Sequence, residues 1–188
     1  MKRIIIITAV LTLIFSGEAV TQIRKGNLMV GADVANLDLT LGGSGAFQAS
    51  VTPKLGLFFR DKIAAGAYGV FGIATAKDAG TTTNYGAGLF GRYFTGNINE
   101  DLFRQGRFFF EGNAGVEGVS FANGSSTTGL GIGAGPGFSY FISNNVALEA
   151  LLKYNGIIGF GSRPYQSNVG LHVGFQIYLP GSSSLASR

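Results

Sequence analysis

The chain has 188 residues, including 31 glycines, 16 phenylalanines and 7 tyrosines, while only 13% of it is charged and 46% is apolar. Glycine stands at about twice and charge at about half the usual share, so the chain is neither disordered nor built for an ordinary soluble surface. It has no cysteine, one histidine and a net charge of +4, which excludes disulfides and Cys-based centres and argues against His-cluster metal sites and nucleic-acid partners.

Lys2-Arg3 opens the chain and is followed by an apolar run from Ile4 to Phe15, broken only by Thr8 and Thr12. Ser16, Gly17, Glu18, Ala19, Val20 and Thr21 then supply small and polar residues. A charged start, a short greasy middle and a small-residue exit make a secretory signal pattern. The run is shorter than the roughly 20 residues that span a bilayer as a helix. The expected division is a cleaved signal peptide over 1–21, a β-barrel over 22–179 and a short Ser-rich tail over 180–188, with cleavage between Ala19 and Gln22. The mature charge is then +3.

Beyond residue 22 the periodicity is two. Phe47, Ala49, Val51, Leu55, Leu57 and Phe59 oppose Gln48, Ser50, Thr52, Lys54, Gly56 and Arg60. Leu130, Ile132, Ala134, Phe138 and Tyr140 oppose Gly129, Gly131, Gly133, Gly135, Gly137 and Ser139. Val169, Leu171, Val173, Phe175, Ile177 and Leu179 oppose Asn168, Gly170, His172, Gly174, Gln176 and Tyr178. Strands with two different environments give this pattern and helices do not. Polar or Gly-rich breaks at 42–45, 60–62, 77–84, 95–107, 122–128, 143–145 and 159–167 leave strands near 27–39, 45–59, 62–76, 84–95, 107–121, 128–142, 145–157 and 167–179. These exceed the usual soluble strand of about 5–6 residues and suit the roughly 9–11 needed to cross a membrane at a tilt.

The second face is mostly glycine with sparse charge, as in a narrow lumen filled by small side chains, so the apolar face is expected to look outward into lipid. In hydrocarbon only a closed barrel satisfies the backbone of every strand. The predicted fold is therefore an all-β, eight-stranded antiparallel up-and-down transmembrane barrel. Tyr85, Tyr93, Phe108, Phe110, Phe138, Tyr140 and Tyr154 fall toward outward strand ends, where interface girdles sit.

Gly26-Asn27-Leu28-Met29-Val30-Gly31, Pro53-Lys54-Leu55-Gly56-Leu57-Phe58-Phe59 before Asp61-Lys62, Gly91-Arg92-Tyr93-Phe94, Phe109-Phe110-Glu111 and Leu148-Glu149-Ala150 carry a resemblance over about residues 26–179. The chain resembles the small eight-stranded outer-membrane β-barrels of the OmpA transmembrane-domain and OmpX type. That resemblance implies a Gram-negative outer-membrane location, insertion by the outer-membrane assembly machinery and a structural or surface-interaction role. It is specific for architecture and poor for activity, because one fold hosts many roles. Such barrels often end on an aromatic residue. Here Leu179 is followed by Pro180-Gly181-Ser182, so the insertion signal would be the internal Phe175 to Leu179.

Parity turns Lys54, Arg92, Glu111, Glu117, Glu149 and Lys153 into the lumen, with Asp33 a seventh member. Arg92 and Glu111 lie at matched distances from one connection and are expected to pair. Lys54 and Glu149 fall at comparable depth. The expected arrangement is a self-neutralising plug, since an eight-stranded barrel has just enough room for its own side chains. The alternative is a charge ladder that exchanges partners to gate a thin, porin-like water path for small solutes.

No cofactor, metal or catalytic group is expected. A lipid-modifying enzyme of this architecture needs a serine, a histidine and an acid on its lipid side, and parity places His172 inward. The Gly129 to Gly137 series lacks the spacing of a phosphate loop and leads into no helix. Membrane lipids are the expected surroundings of a monomeric barrel, with Lys77 and Arg163 placed to meet lipopolysaccharide phosphates.

Overall fold

The computed structural model describes residues 23–40, 46–76, 80–95, 105–122, 124–160 and 166–181. The expected signal peptide, most of the Ser-rich tail, the loop at 42–45, Lys77 and Arg163 lie outside them. Eight strands follow one another: β1 Leu28–Thr40, β2 Ala46–Arg60, β3 Ile63–Ala76, β4 Gly80–Phe94, β5 Gly106–Ser120, β6 Ser126–Phe141, β7 Val146–Gly159 and β8 Gln166–Leu179. Each pairs antiparallel with its neighbours in sequence. The sheet closes where β1 meets β8, from Leu28 opposite Leu179 to Ala35 opposite His172. Closure gives every strand a hydrogen-bonded neighbour on both sides, the arrangement that hydrocarbon requires.

Apolar residues dominate the outward row of the strands. Leu89 is 70% exposed, Phe71 64% and Leu171 61%, and Leu55, Val116, Ile132, Leu152 and Val173 continue the same surface. Exposed apolar surface on this scale is matched by lipid and not by water. Tyr85, Tyr93, Phe108, Phe110, Tyr140 and Tyr154 are also exposed on this face, and half-buried Phe138 lies 4.9 Å from Phe108 between ring centroids.

Two tight connections lie at the end of the barrel that carries the chain termini. In one, Lys62 takes a left-handed backbone conformation (φ 67°) after Asp61, and the Asp61 carboxylate accepts from the Lys25 amide at 2.8 Å. In the other, the Ser143 hydroxyl accepts from the amides of Asn145 (3.3 Å) and Val146 (3.2 Å), the local bonding that makes serine a turn residue.

Several boundaries differ from the sequence reading. β4 begins at Gly80, β6 at Ser126, β7 runs on to Gly159 and β8 begins at Gln166. Threonine explains the largest of these shifts: it is polar enough to resemble a loop, yet its branched Cβ favours strands. Thr81 pairs with Thr75, their hydroxyls 3.0 Å apart. Arg60, which stands in the polar row of β2 and opens the break at 60–62, is exposed. A register shift between Phe58 and Arg60 inserts an extra residue there and breaks the alternation.

The inward row is also less uniformly small than expected. Met29, Phe58, Phe94, Phe109, Phe141 and Tyr178 are buried together at the terminus-bearing end, with Ile23 packed against them. Phe94 and Phe109 have centroids 5.5 Å apart, and Phe141 and Tyr178 5.3 Å. The runs Phe58-Phe59 and Phe108-Phe109-Phe110 put aromatics on both faces, which hides the inward member from a pattern that contrasts apolar with polar.

Candidate functional site

Immediately above this aromatic floor the structure gathers five of the seven charges assigned to the lumen. The Lys54 ammonium on β2 contacts Asp33 of β1 at 2.6 Å and Glu111 of β5 at 2.5 Å. Arg92 on β4 stands directly opposite Glu111 in the β4–β5 register. Its Nη2 donates to Glu111 Oε2 at 2.7 Å, and its Nη1 donates to Glu149 Oε2 of β7, also at 2.7 Å. The result is one continuous chain, Asp33–Lys54–Glu111–Arg92–Glu149, strung across the lumen and buried throughout.

Neutral groups complete the carboxylates' hydrogen bonding. Glu149 Oε1 accepts from Ser139 at 2.6 Å and from the Tyr178 hydroxyl at 2.8 Å, while Asp33 Oδ1 accepts from Gln176 at 3.1 Å. Ser139, Gln176 and Tyr178 all stand in inward rows of the sequence. Their residue types gave no separate sign of these contacts. Below, the Arg92 guanidinium lies 4.0 Å from the Phe109 ring centroid, and Nη1 is 3.5 Å from Met29 Sδ. The charged layer therefore rests on a π-face that attracts it.

The other two charges stand apart from this chain. Glu117 on β5 accepts from the Tyr68 hydroxyl at 2.8 Å, and that oxygen accepts from Asn113 at 2.9 Å. Lys153 on β7 is buried with its ammonium 5.8 Å from the Tyr68 ring centroid, and it makes no ion pair or hydrogen bond among the described residues. The inward glycines of β6 make room for these long side chains. A Cβ at Gly133 would stand 2.6 Å from Asn113 Oδ1, 2.7 Å from Lys153 Cε and 2.9 Å from Asn155 Oδ1, so a larger residue would evict at least one of them.

Above Tyr68 the lumen widens into a cavity of about 460 Å³, bounded by Glu117, Lys153, His172 and a ring of amide and hydroxyl side chains. His172 is half-buried and makes no hydrogen bond to a serine or a carboxylate among the described residues. No group of three His, Cys, Asp or Glu among those residues is placed to hold a metal ion.

No protein-family model matches the chain, and no curated protein sequence matches it. Solved structures do. Neisserial surface protein A superposes with a TM-score of 0.53 at 17% identity, over 80% of this chain and 95% of that one. The outer membrane protein OprG from Pseudomonas aeruginosa superposes with a TM-score of 0.50 at 14% identity, over 84% and 98% of the two chains.

This is the fold of the small outer-membrane β-barrels. At these identities the likeness is one of architecture, and the lumen contacts described above are those of this chain.

Proposed function

We propose that the chain is an integral β-barrel of the bacterial outer membrane with a structural or surface-interaction role and a lumen closed to solute flow. One observation carries this reading: two consecutive layers, the aromatic floor and the charged chain above it, are buried across the same section of the barrel. Eight strands leave an interior about wide enough for side chains alone, and large ones occupy these two layers. The surrounding lipid, including lipopolysaccharide, and the assembly machinery that inserts such barrels are the partners this reading requires. It gives the chain no catalytic task.

Recording from the refolded protein in planar bilayers tests the closed lumen. Silence is expected from the parent and from an Arg92→Met/Glu111→Gln variant, because the aromatic layer remains. Regular conductance steps in the parent would replace this reading with a minor channel, in which Arg92 shifts between the two carboxylates it already touches.

A further inference from the structure

The cavity above Tyr68 differs chemically from the layers beneath it. Below, Lys54 and Arg92 each contact two carboxylates. Lys153 is only 5% exposed, yet it brings a cationic head to the cavity wall without a counter-ion or a hydrogen-bond acceptor among the described residues. A buried ammonium left in this state is costly unless something supplies negative charge.

Around it stand Asn84, Asn155, Asn168, Ser50 and Ser167, none of which hydrogen-bonds through its side chain to another described residue. Glu117 shares the wall; its Oε1 accepts from Tyr68, and it forms no ion pair with Lys153. A cavity of about 460 Å³ falls within the range of small-molecule sites. We propose that this cup binds a small monocarboxylate, with the Lys153 ammonium as counter-charge and the surrounding amides and hydroxyls as hydrogen-bond donors. A single negative charge is favoured over a dianion because Glu117 lies on the same wall and the layer beneath holds three carboxylates against two cations. The proposal goes beyond the structural role and does not depend on whether the floor conducts.

The test uses isotopically labelled barrel refolded in micelles, with backbone amide signals followed during titration with sodium acetate and, separately, methylammonium chloride at matched ionic strength. Acetate is expected to give saturable shifts at Gly133, Asn155 and Gly170. Lys153→Met should weaken that response at least tenfold, and Lys153→Arg should retain most of it. Lys153→Gln replaces the methionine variant if the latter does not refold. Absence of a saturable acetate response in the parent, or an equal response in the charge-free variants, overturns the proposal. A saturable response to methylammonium in place of acetate also overturns it and assigns the cup to Glu117.

Discussion

Arg92 and Glu111 are direct cross-strand partners, joined by Nε and Nη2 hydrogen bonds of 3.1 and 2.7 Å to one carboxylate oxygen, with neither side chain open to solvent. Breaking a buried pair from one side strands the other charge, at about 3–5 kcal/mol. Arg92→Met leaves Glu149 with no cation and Glu111 with Lys54 alone. Glu111→Gln leaves Arg92 with Glu149 and Lys54 with Asp33. The arginine variant should therefore be the less stable of the two in urea unfolding from lipid vesicles. The double variant should lose clearly less than the sum, because the second change relieves the charge that the first exposed. Strict additivity would show that the pair is not coupled.

Tyr178 joins the two lumen layers, since its ring packs with Phe58, Phe94 and Phe141 while its hydroxyl donates to Glu149 at 2.8 Å. Tyr178→Phe keeps the packing and removes only the hydrogen bond. A loss of about 1.5–3 kcal/mol is expected, the range for a bond to a charged group. An unchanged unfolding midpoint would mean that Arg92 and Ser139 satisfy Glu149 without the phenol.

Alternation alone exposed the barrel, because the two faces of each strand meet lipid and lumen and their residues differ accordingly. The inward charges were legible for the same reason: parity places Lys54, Arg92, Glu111, Glu149 and Lys153 in glycine-rich or polar rows. Their sorting into a paired group and a separate Lys153 was not legible. That depends on how far each strand slides past the next, and register is a property of the closed sheet. The aromatic floor was not legible because Phe58 and Phe109 adjoin outward aromatics, so neither face is polar there. The break in alternation before Arg60 was not legible either, because an extra residue in β2 leaves no local mark in composition.

On the lipid side, Val173 is 54% exposed, between Val34 of β1 and Ala150 of β7. An arginine near the bilayer midplane should cost about 2–4 kcal/mol, so Val173→Arg is expected to refold less well and unfold at lower urea. Gly174→Ala acts by another route: its new methyl group would press on the Ala32 carbonyl and the Asp33 carboxylate. Its effect should shrink when Asp33 is shortened, whereas that of Val173→Arg should not. Equal folding of Val173→Arg and the parent would reverse the assignment of the two faces.

The direction of the barrel in its membrane gives the last prediction. The tight turns at Asp61-Lys62 and Ser143–Asn145 share the end that carries the chain termini, and the β5–β6 connection around Ser125 lies at the other. Outer-membrane barrels keep short turns on the periplasmic side and longer loops outside. The 95–105 connection at the terminus-bearing end is longer than this rule favours, so the orientation needs its own test. A cysteine at Ser125 is expected to react with an impermeant maleimide on intact cells. Cysteines at Asp61 and Asn144 should react only after the outer membrane is permeabilised. Thr82 is a poor reporter despite its polar surroundings, because it is half-buried and paired with Ala74 inside the sheet. Labelling at Asp61 on intact cells, with Ser125 protected, would turn the barrel over and place the proposed carboxylate cup on the periplasmic side.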